Sequence, residues 1–287
     1  MLSSRCFTYL ALLGVVAAGC QRPAPPALPT TVQLVAAASL PAEPDDPAWE
    51  RAPEFVAALI PQDLVDPRLM QATTAALRVR ALTDGKRAAF RLEWADASED
   101  NGAGPNTFSD GCAVQLPAKA EPTLPAPQMG EPGRAVHITF WNAAWQEAAA
   151  GHRDSLPDLY PRATVDHYPF ESAALKQGSP EQRAMADRYA PARRLGNFMH
   201  RPPGAPVQDL VAEGPGTLRS LPETTATGTG KRIADGWSVA IVRDLPEGFA
   251  SAPEGQIAFA VWEGAQGEVG SRKMRTGWVT MTRVEQP

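Results

Sequence analysis

The sequence predicts a mainly β domain of the sandwich or barrel kind, and three observations carry that reading. Short runs that alternate apolar and polar residues recur along the chain. Asp-Gly pairs mark hairpin turns at Asp84-Gly85 and Asp235-Gly236, the turn chemistry expected between two such runs. The 287 residues include 29 prolines and 23 glycines, with few long helical patterns, so turns should outnumber helices.

The chain opens on a leader, residues 1–19. Arg5 supplies a short positive start, and an apolar run, LALLGVVAAGC from Leu10 to Cys20, ends in Ala17-Ala18-Gly19. Small residues closing a short apolar run form a secretory cleavage site. Cys20 at the first mature position fits the bacterial lipoprotein pattern, in which its sulfur takes up a diacylglycerol. The run is shorter than the ~20 residues a membrane span needs. The expected location is therefore extracytoplasmic, on the periplasmic side, lipid-anchored to a membrane. Residues 20–31 read as a Pro-rich linker, and residues 32–285 as one β domain carrying an insertion at about 146–200.

Within that domain the first hairpin is the clearest. Leu77, Val79 and Ala81 alternate with Arg78 and Arg80, and after the turn come Ala88, Phe90 and Leu92 up to Trp94. Strands are expected at Gly111 to Leu116, stopped by Pro117, and at Ala135 to Phe140. A proline-rich loop, Glu121 to Gly133, lies between them and carries Met129. Trp141 and Trp145 are spaced as on one helical face. Ser179-Pro180-Glu181 reads as an N-cap with proline at the first helical position, and Gly196-Asn197 would close that helix. Strand signals return at Gly216 to Leu221, Thr225 to Thr229, Trp237 to Arg243, Gln256 to Trp262 and Trp278 to Arg283.

Charge and composition exclude several functions. The net charge of -5 and pI near 5.5, without a basic block, argue against nucleic acid as a partner. Of three cysteines, Cys6 leaves with the leader and Cys20 would be acylated. Cys112 then has no partner, and the domain must be held by its core or by a bound group. There is no CxxC, CxxCH, GxSxG, phosphate loop or HExxH. His137, His152, His167 and His200 are scattered without ligand spacing. Nothing assembles a nucleophile with its base.

Six strings occur in a telling order: FRLEWADAS (Phe90 to Ser98), FSDGCAVQLP (Phe108 to Pro117), QMGEPGRAVHITFWNAAWQ (Gln128 to Gln146), VQDLVAEGPGTL (Val207 to Leu218), GWSVAIVRDL (Gly236 to Leu245) and IAFAVWEGAQGEVGSRKMRTGWVTM (Ile257 to Met281). This order resembles the haem b-binding gamma subunits of ethylbenzene dehydrogenase and related molybdenum enzymes, such as dimethylsulfide dehydrogenase, from about Val32 to Arg283. Gly111 and Cys112 depart from the family pattern.

The resemblance implies an immunoglobulin-like β-sandwich around one non-covalent haem b, with a partly helical insertion and axial methionine and lysine. Met129 sits where the family methionine lies, in the loop before the strand leading to W-x-x-x-W. Lys273, in Ser271-Arg272-Lys273 before the last strand, matches the family lysine, with Lys231 as the fallback. Such a chain would be no enzyme. It would relay single electrons between the iron–sulfur subunit of a molybdenum oxidoreductase and a soluble cytochrome or other external acceptor or donor. Catalysis would stay in the molybdenum subunit. The alternative is a haem-free ligand- or carbohydrate-binding lipoprotein, with Trp141, Trp145, Trp262 and Trp278 as an exposed stacking platform. A third reading is a chain that keeps the haem fold only to assemble a complex.

Overall fold

Asp84 turns the first hairpin as its sequence requires. Its Oδ1 accepts from the Lys86 and Arg87 amides at 2.9 and 2.7 Å, while Gly85 takes φ +93°, a conformation costly for any residue with a Cβ. The computed structural model describes residues 29–102, 106–151, 162, 178–189, 205–249, 252 and 254–284. In chain order they form β1 (Val32–Ala36), β2 (Phe55–Ala58), β3 (Ile60–Pro61), β4 (Ala76–Thr83), β5 (Arg87–Ala95), β6 (Gly111–Pro117), β7 (Val136–Asn142), α1 (Ala143–Ala149), α2 (Pro180–Tyr189), β8 (Val207–Ala212), β9 (Arg219–Ser220), β10 (Thr227–Ile233), β11 (Gly236–Asp244), β12 (Glu254–Trp262), β13 (Met274–Arg275) and β14 (Val279–Val284).

The strands make two sheets that share one strand. The first runs β10-β11-β5-β4-β1-β14-β12 and the second β12-β6-β7-β8-β9. Residues 254–257 of β12 pair with β14, and residues 258–262 pair with β6. Strand β12 thus leaves one sheet and joins the other. Pairing is antiparallel except at β1, which lies parallel to both β14 and β4.

The two sheets meet over the main core. Leu77, Val79, Phe90, Leu92, Val239 and Ile241 come from the first sheet, and Cys112, Val114, Leu116, Trp141 and Val261 from the second. The alternation read in β4 is what turns Leu77, Val79 and Ala81 inward. Burial at this scale stabilises by roughly 25 cal/mol per Å² of apolar surface. Cys112 is fully buried and burial pushes its thiol up, so it packs as a small hydrophobe.

Trp141 differs from its expected place. It belongs to β7 and is fully buried, edge-on to Trp94 at 6.4 Å and to Trp237 at 5.2 Å. Only Trp145 is helical, because Asn142 caps α1 by accepting from the Trp145 amide. The four-residue spacing therefore straddles a strand end, and the two rings lie on opposite faces of the sheet. Gly230 in β10 is required by this packing, since a Cβ there would collide with the Trp141 ring. Ser179 caps α2 through the Gln182 amide, as the sequence predicts. Most of the 146–200 segment, including Gly196-Asn197, lies outside the described residues.

Candidate functional site

The outer face of the second sheet is paved with small residues. Pleating sends Cys112, Val114 and Leu116 into the main core, so Ala113 and Gln115 point the other way. The register then builds two rows on that face. Ala260 pairs with Ala113 and Ala113 with Phe140, while Ala258 pairs with Gln115 and Gln115 with Ile138. Alanines leave space above the strands, and a cavity of about 830 Å³ occupies it. That volume lies within the ~300–1,000 Å³ usual for small-molecule and cofactor sites. Trp145 of α1, Leu218, and Trp262 at the end of β12 also line it. Phe140 packs edge-on against both tryptophans, at 5.3 and 5.0 Å.

Met129 and Lys273 both line this cavity. Met129 stands on a loop pinned from several sides. Gln115 Nε2 donates to the Pro127 carbonyl at 2.9 Å and Trp278 Nε1 to that of Pro125 at 2.7 Å. The Met129 carbonyl accepts from the Gly214 amide at 2.8 Å. Met129 itself adopts φ +69° and Gly130 φ +81°. A Cβ on Gly130 would crowd the carbonyls of Arg134 and Ala212 at 2.8 and 2.9 Å, so only glycine fits after this methionine. A non-glycine residue held at positive φ costs of order 1–3 kcal/mol, and the surrounding hydrogen bonds hold it there.

Lys273 enters from the segment between β12 and β13. Its carbonyl accepts from the Gln62 amide at 2.9 Å, and its ammonium nitrogen lies 4.9 Å from the Trp262 ring centroid. By surface area the residue is half-buried, but the surface it presents includes cavity wall. Burial, and secondarily the neighbouring Arg275 charge, push the amine down to about 8. Among the described residues no carboxylate pairs with it.

Lys231 is placed differently. On β10 its amine binds Asp45 at 2.7 Å and Glu43 at 3.0 Å at the exposed surface. Those hydrogen bonds, that to Asp45 first, hold its pKa up, and it does not line the cavity. Cys20, His152, His167 and His200 lie outside the described residues. His137 is in β7. Among the described residues no group of three or more His, Cys, Asp or Glu is placed to hold a metal ion by itself. Of the four tryptophans proposed as a stacking platform, Trp141 is sealed in the main core. Trp145, Trp262 and Trp278 are half-buried against the cavity's apolar cluster.

Two acids escaped the sequence reading. Asp110, fully buried just before β6, accepts from the Gly264 and Asp100 amides, each at 2.8 Å, and from Trp237 Nε1 at 3.0 Å. Its carbonyl also accepts from the Ala143 amide at 2.9 Å. One residue thus ties the start of α1, through its carbonyl, and the turn after β12, through its carboxylate, to the core. Burial pushes its carboxyl up to about 6. Glu268, also buried, lines the cavity and accepts from Thr73 Oγ1 at 2.6 Å and the Glu263 amide at 3.1 Å. Burial again pushes its carboxyl up. An acid directly ahead of an apolar strand is the only sequence signal for Asp110, and Glu268 carries none.

Chemically, the cavity offers a soft thioether and an amine of lowered proton affinity within an apolar, aromatic-walled slot. Both are electron-pair donors suited to a transition metal.

Comparison with known proteins agrees with this chemistry. A carbohydrate binding module of family 9 from Caldicellulosiruptor kristjanssonii, solved with cellotriose, aligns over 89% of this chain and 94% of its own. The TM-score is 0.41 and the identity 8%, too distant to bear on function. A protein of Haloferax mediterranei, named as a candidate respiratory nitrate reductase heme subunit (ORF7), is 26% identical over 263 residues, which is 88% of this chain and 72% of that protein. The family model described as ethylbenzene dehydrogenase matches residues 46–190, just over half of the chain and including Met129. The chain belongs to the haem-binding gamma-subunit family of ethylbenzene dehydrogenase.

Proposed function

We propose that this chain is a haem b electron-transfer subunit of an extracytoplasmic molybdenum oxidoreductase, with Met129 and Lys273 as axial ligands. The observation that carries the reading is that one apolar cavity is lined by a methionine and by a lysine that no carboxylate pairs with among the described residues, from segments 144 positions apart in sequence. Bound there without covalent attachment, haem b supplies a one-electron couple.

The residues fit that group. The alanine floor of β6 and β12 leaves room for a planar macrocycle, and Phe140, Trp145 and Trp262 exclude water from it. A free lysine holds its proton to about 10.4 and cannot donate to iron while charged. The cavity lowers the cost of removing that proton, since burial brings Lys273 down to about 8. The Met129 thioether is neutral and soft, which favours the ferrous state and raises the potential. Held by Met129 and Lys273, the haem would have no position left for oxygen or substrate, so the chain would move electrons and do no bond chemistry. Electrons would pass between the iron–sulfur subunit of the complex and a soluble cytochrome or other external carrier.

An absorption spectrum of the mature chain, expressed with haem supplied, tests this directly. A sharp low-spin b-type spectrum in the oxidised and dithionite-reduced states is expected. A folded protein that stays colourless through haem titration would refute the proposal.

The membrane attachment rests on the leader and Cys20. An acyl anchor would hold the electron exit near a membrane surface. Cys20→Ser is expected to move the protein from the membrane to the soluble extracytoplasmic fraction, read by fractionation. Retention in the membrane would show that something other than the cysteine holds it.

A further inference from the structure

Arg275 has more hydrogen-bond donors than the protein uses. It lies in β13 opposite Ala260 of β12, and Met274 before it turns into the main core. Alternation along the extended segment sends Arg275 to the other side, with Lys273, and both line the cavity. Only 8% of Arg275 is exposed.

A guanidinium carries five N–H donors in a planar fork and no acceptor. In Arg275, Nη1 reaches the Thr276 carbonyl at a long 3.3 Å, and Nε is buried with no partner. Among the described residues no carboxylate forms an ion pair with it. Of the two acids on the cavity wall, Glu268 already accepts from Thr73 and the Glu263 amide, and Asp66 pairs with Arg68 at 3.0 Å. The Asp63 charge favours the Arg275 charge from beyond ion-pair distance, and a buried charge with no contacting partner is costly. Here it stands beside a second cationic side chain, in a cavity whose floor is mostly apolar.

Such an arrangement suits a ligand that is largely apolar but carries an anionic edge. Carboxylate is the anion whose two oxygens match the guanidinium fork. Resting on the haem-binding reading above, the geometry points to Arg275 as the anchor for a propionate carboxylate of haem, fixing how the macrocycle is turned within its plane. Met129 and Lys273 would hold the iron, and Arg275 would fix how the macrocycle is turned between them.

The experiment titrates the apo-chain with haem b and with its dimethyl ester, which keeps the ring and the iron but caps both carboxylates. Affinity is read from the absorption change. Wild type is expected to bind haem b about 10- to 100-fold more tightly than the ester, the range for hydrogen bonds to a charged group. Arg275→Gln should remove that preference by weakening haem b and leaving the ester unchanged. Arg275→Lys, which keeps the charge but loses the fork, should retain part of it. A wild type that binds both equally overturns the inference even if Arg275→Gln does not fold. So does an Arg275→Gln chain that weakens both ligands alike or neither. Failure of wild type to bind either one refutes the haem-binding reading itself, and this inference with it.

Discussion

Met129→Ala and Lys273→Ala each convert the expected low-spin six-coordinate spectrum to a high-spin one or abolish haem retention. Each removes one of the two proposed ligands that line the cavity. Neither loss can be made good nearby. Gln115 and Trp278 pin the Met129 loop through the Pro127 and Pro125 carbonyls, so no other sulfur can swing in from that segment. On the opposite donor, Arg275 is the neighbouring cation, and a guanidinium stays protonated and cannot serve as a ligand. Lys231→Ala is the matched control. Its amine is spent on Asp45 and Glu43 at the surface, so its removal should leave the spectrum unchanged and cost little stability. If Lys231→Ala alone changed the spectrum, the assignment of Lys273 would be wrong. Lys273→Met offers a second readout. It replaces an amine by a soft thioether and should raise the midpoint potential while preserving a low-spin iron.

The parts of this fold legible in the sequence are those set by local chemistry. The Asp84-Gly85 turn follows from side-chain acceptance by Asp84 and from glycine's positive φ, and the inward face of β4 follows from period-two alternation. The shared strand β12 was not legible. Ile257 to Trp262 reads as one apolar run, and nothing local marks the change of partner at residue 258. The parallel placement of β1 between β4 and β14 is equally non-local. Trp141 was misplaced because a spacing of four also arises when one residue ends a strand and the other begins a helix. Met129 and Lys273 came from the order of family strings, since a methionine in a Pro/Gly loop and a lysine near the chain end carry no signal of their own. Their common cavity, the unspent donors of Arg275 and the tie made by Asp110 depend on segments more than a hundred residues apart.

Asp110→Ala is expected to destabilise the chain by about 3 kcal/mol. It leaves three buried donors without an acceptor, the Gly264 and Asp100 amides and the Trp237 indole, at about 1–3 kcal/mol each when not rescued by water. For a domain of this size that corresponds to a fall in Tm of roughly 6–12 °C. A drop below about 1 kcal/mol would mean that water takes over the acceptor role. Asp110→Asn keeps the shape but offers one acceptor oxygen instead of two, and its effect should be intermediate. It also isolates a pH dependence. Burial raises the folded-state pKa of Asp110 from 3.8 to about 6, and Glu263 and Glu268 are raised in the same way. Between about pH 4 and 6 the folded chain therefore holds protons that the unfolded chain has lost, and these groups make stability fall as pH rises. Asp45 and Asp84 are lowered from 3.8, so their opposite contribution lies below that window. His137 is lowered from 6.5 by burial and opposes the trend near the upper end, which is why the difference between variant and wild type is the quantity to measure. Thermal unfolding at pH 5 and pH 7 should show a smaller loss in Asp110→Asn than in wild type, and equal losses would contradict a raised Asp110. Because the same carboxylate anchors Gly264, ahead of the segment that delivers Lys273, Asp110→Ala should also bind haem more weakly. A change in fold stability at Asp110 then becomes a change in how firmly the cavity is held together.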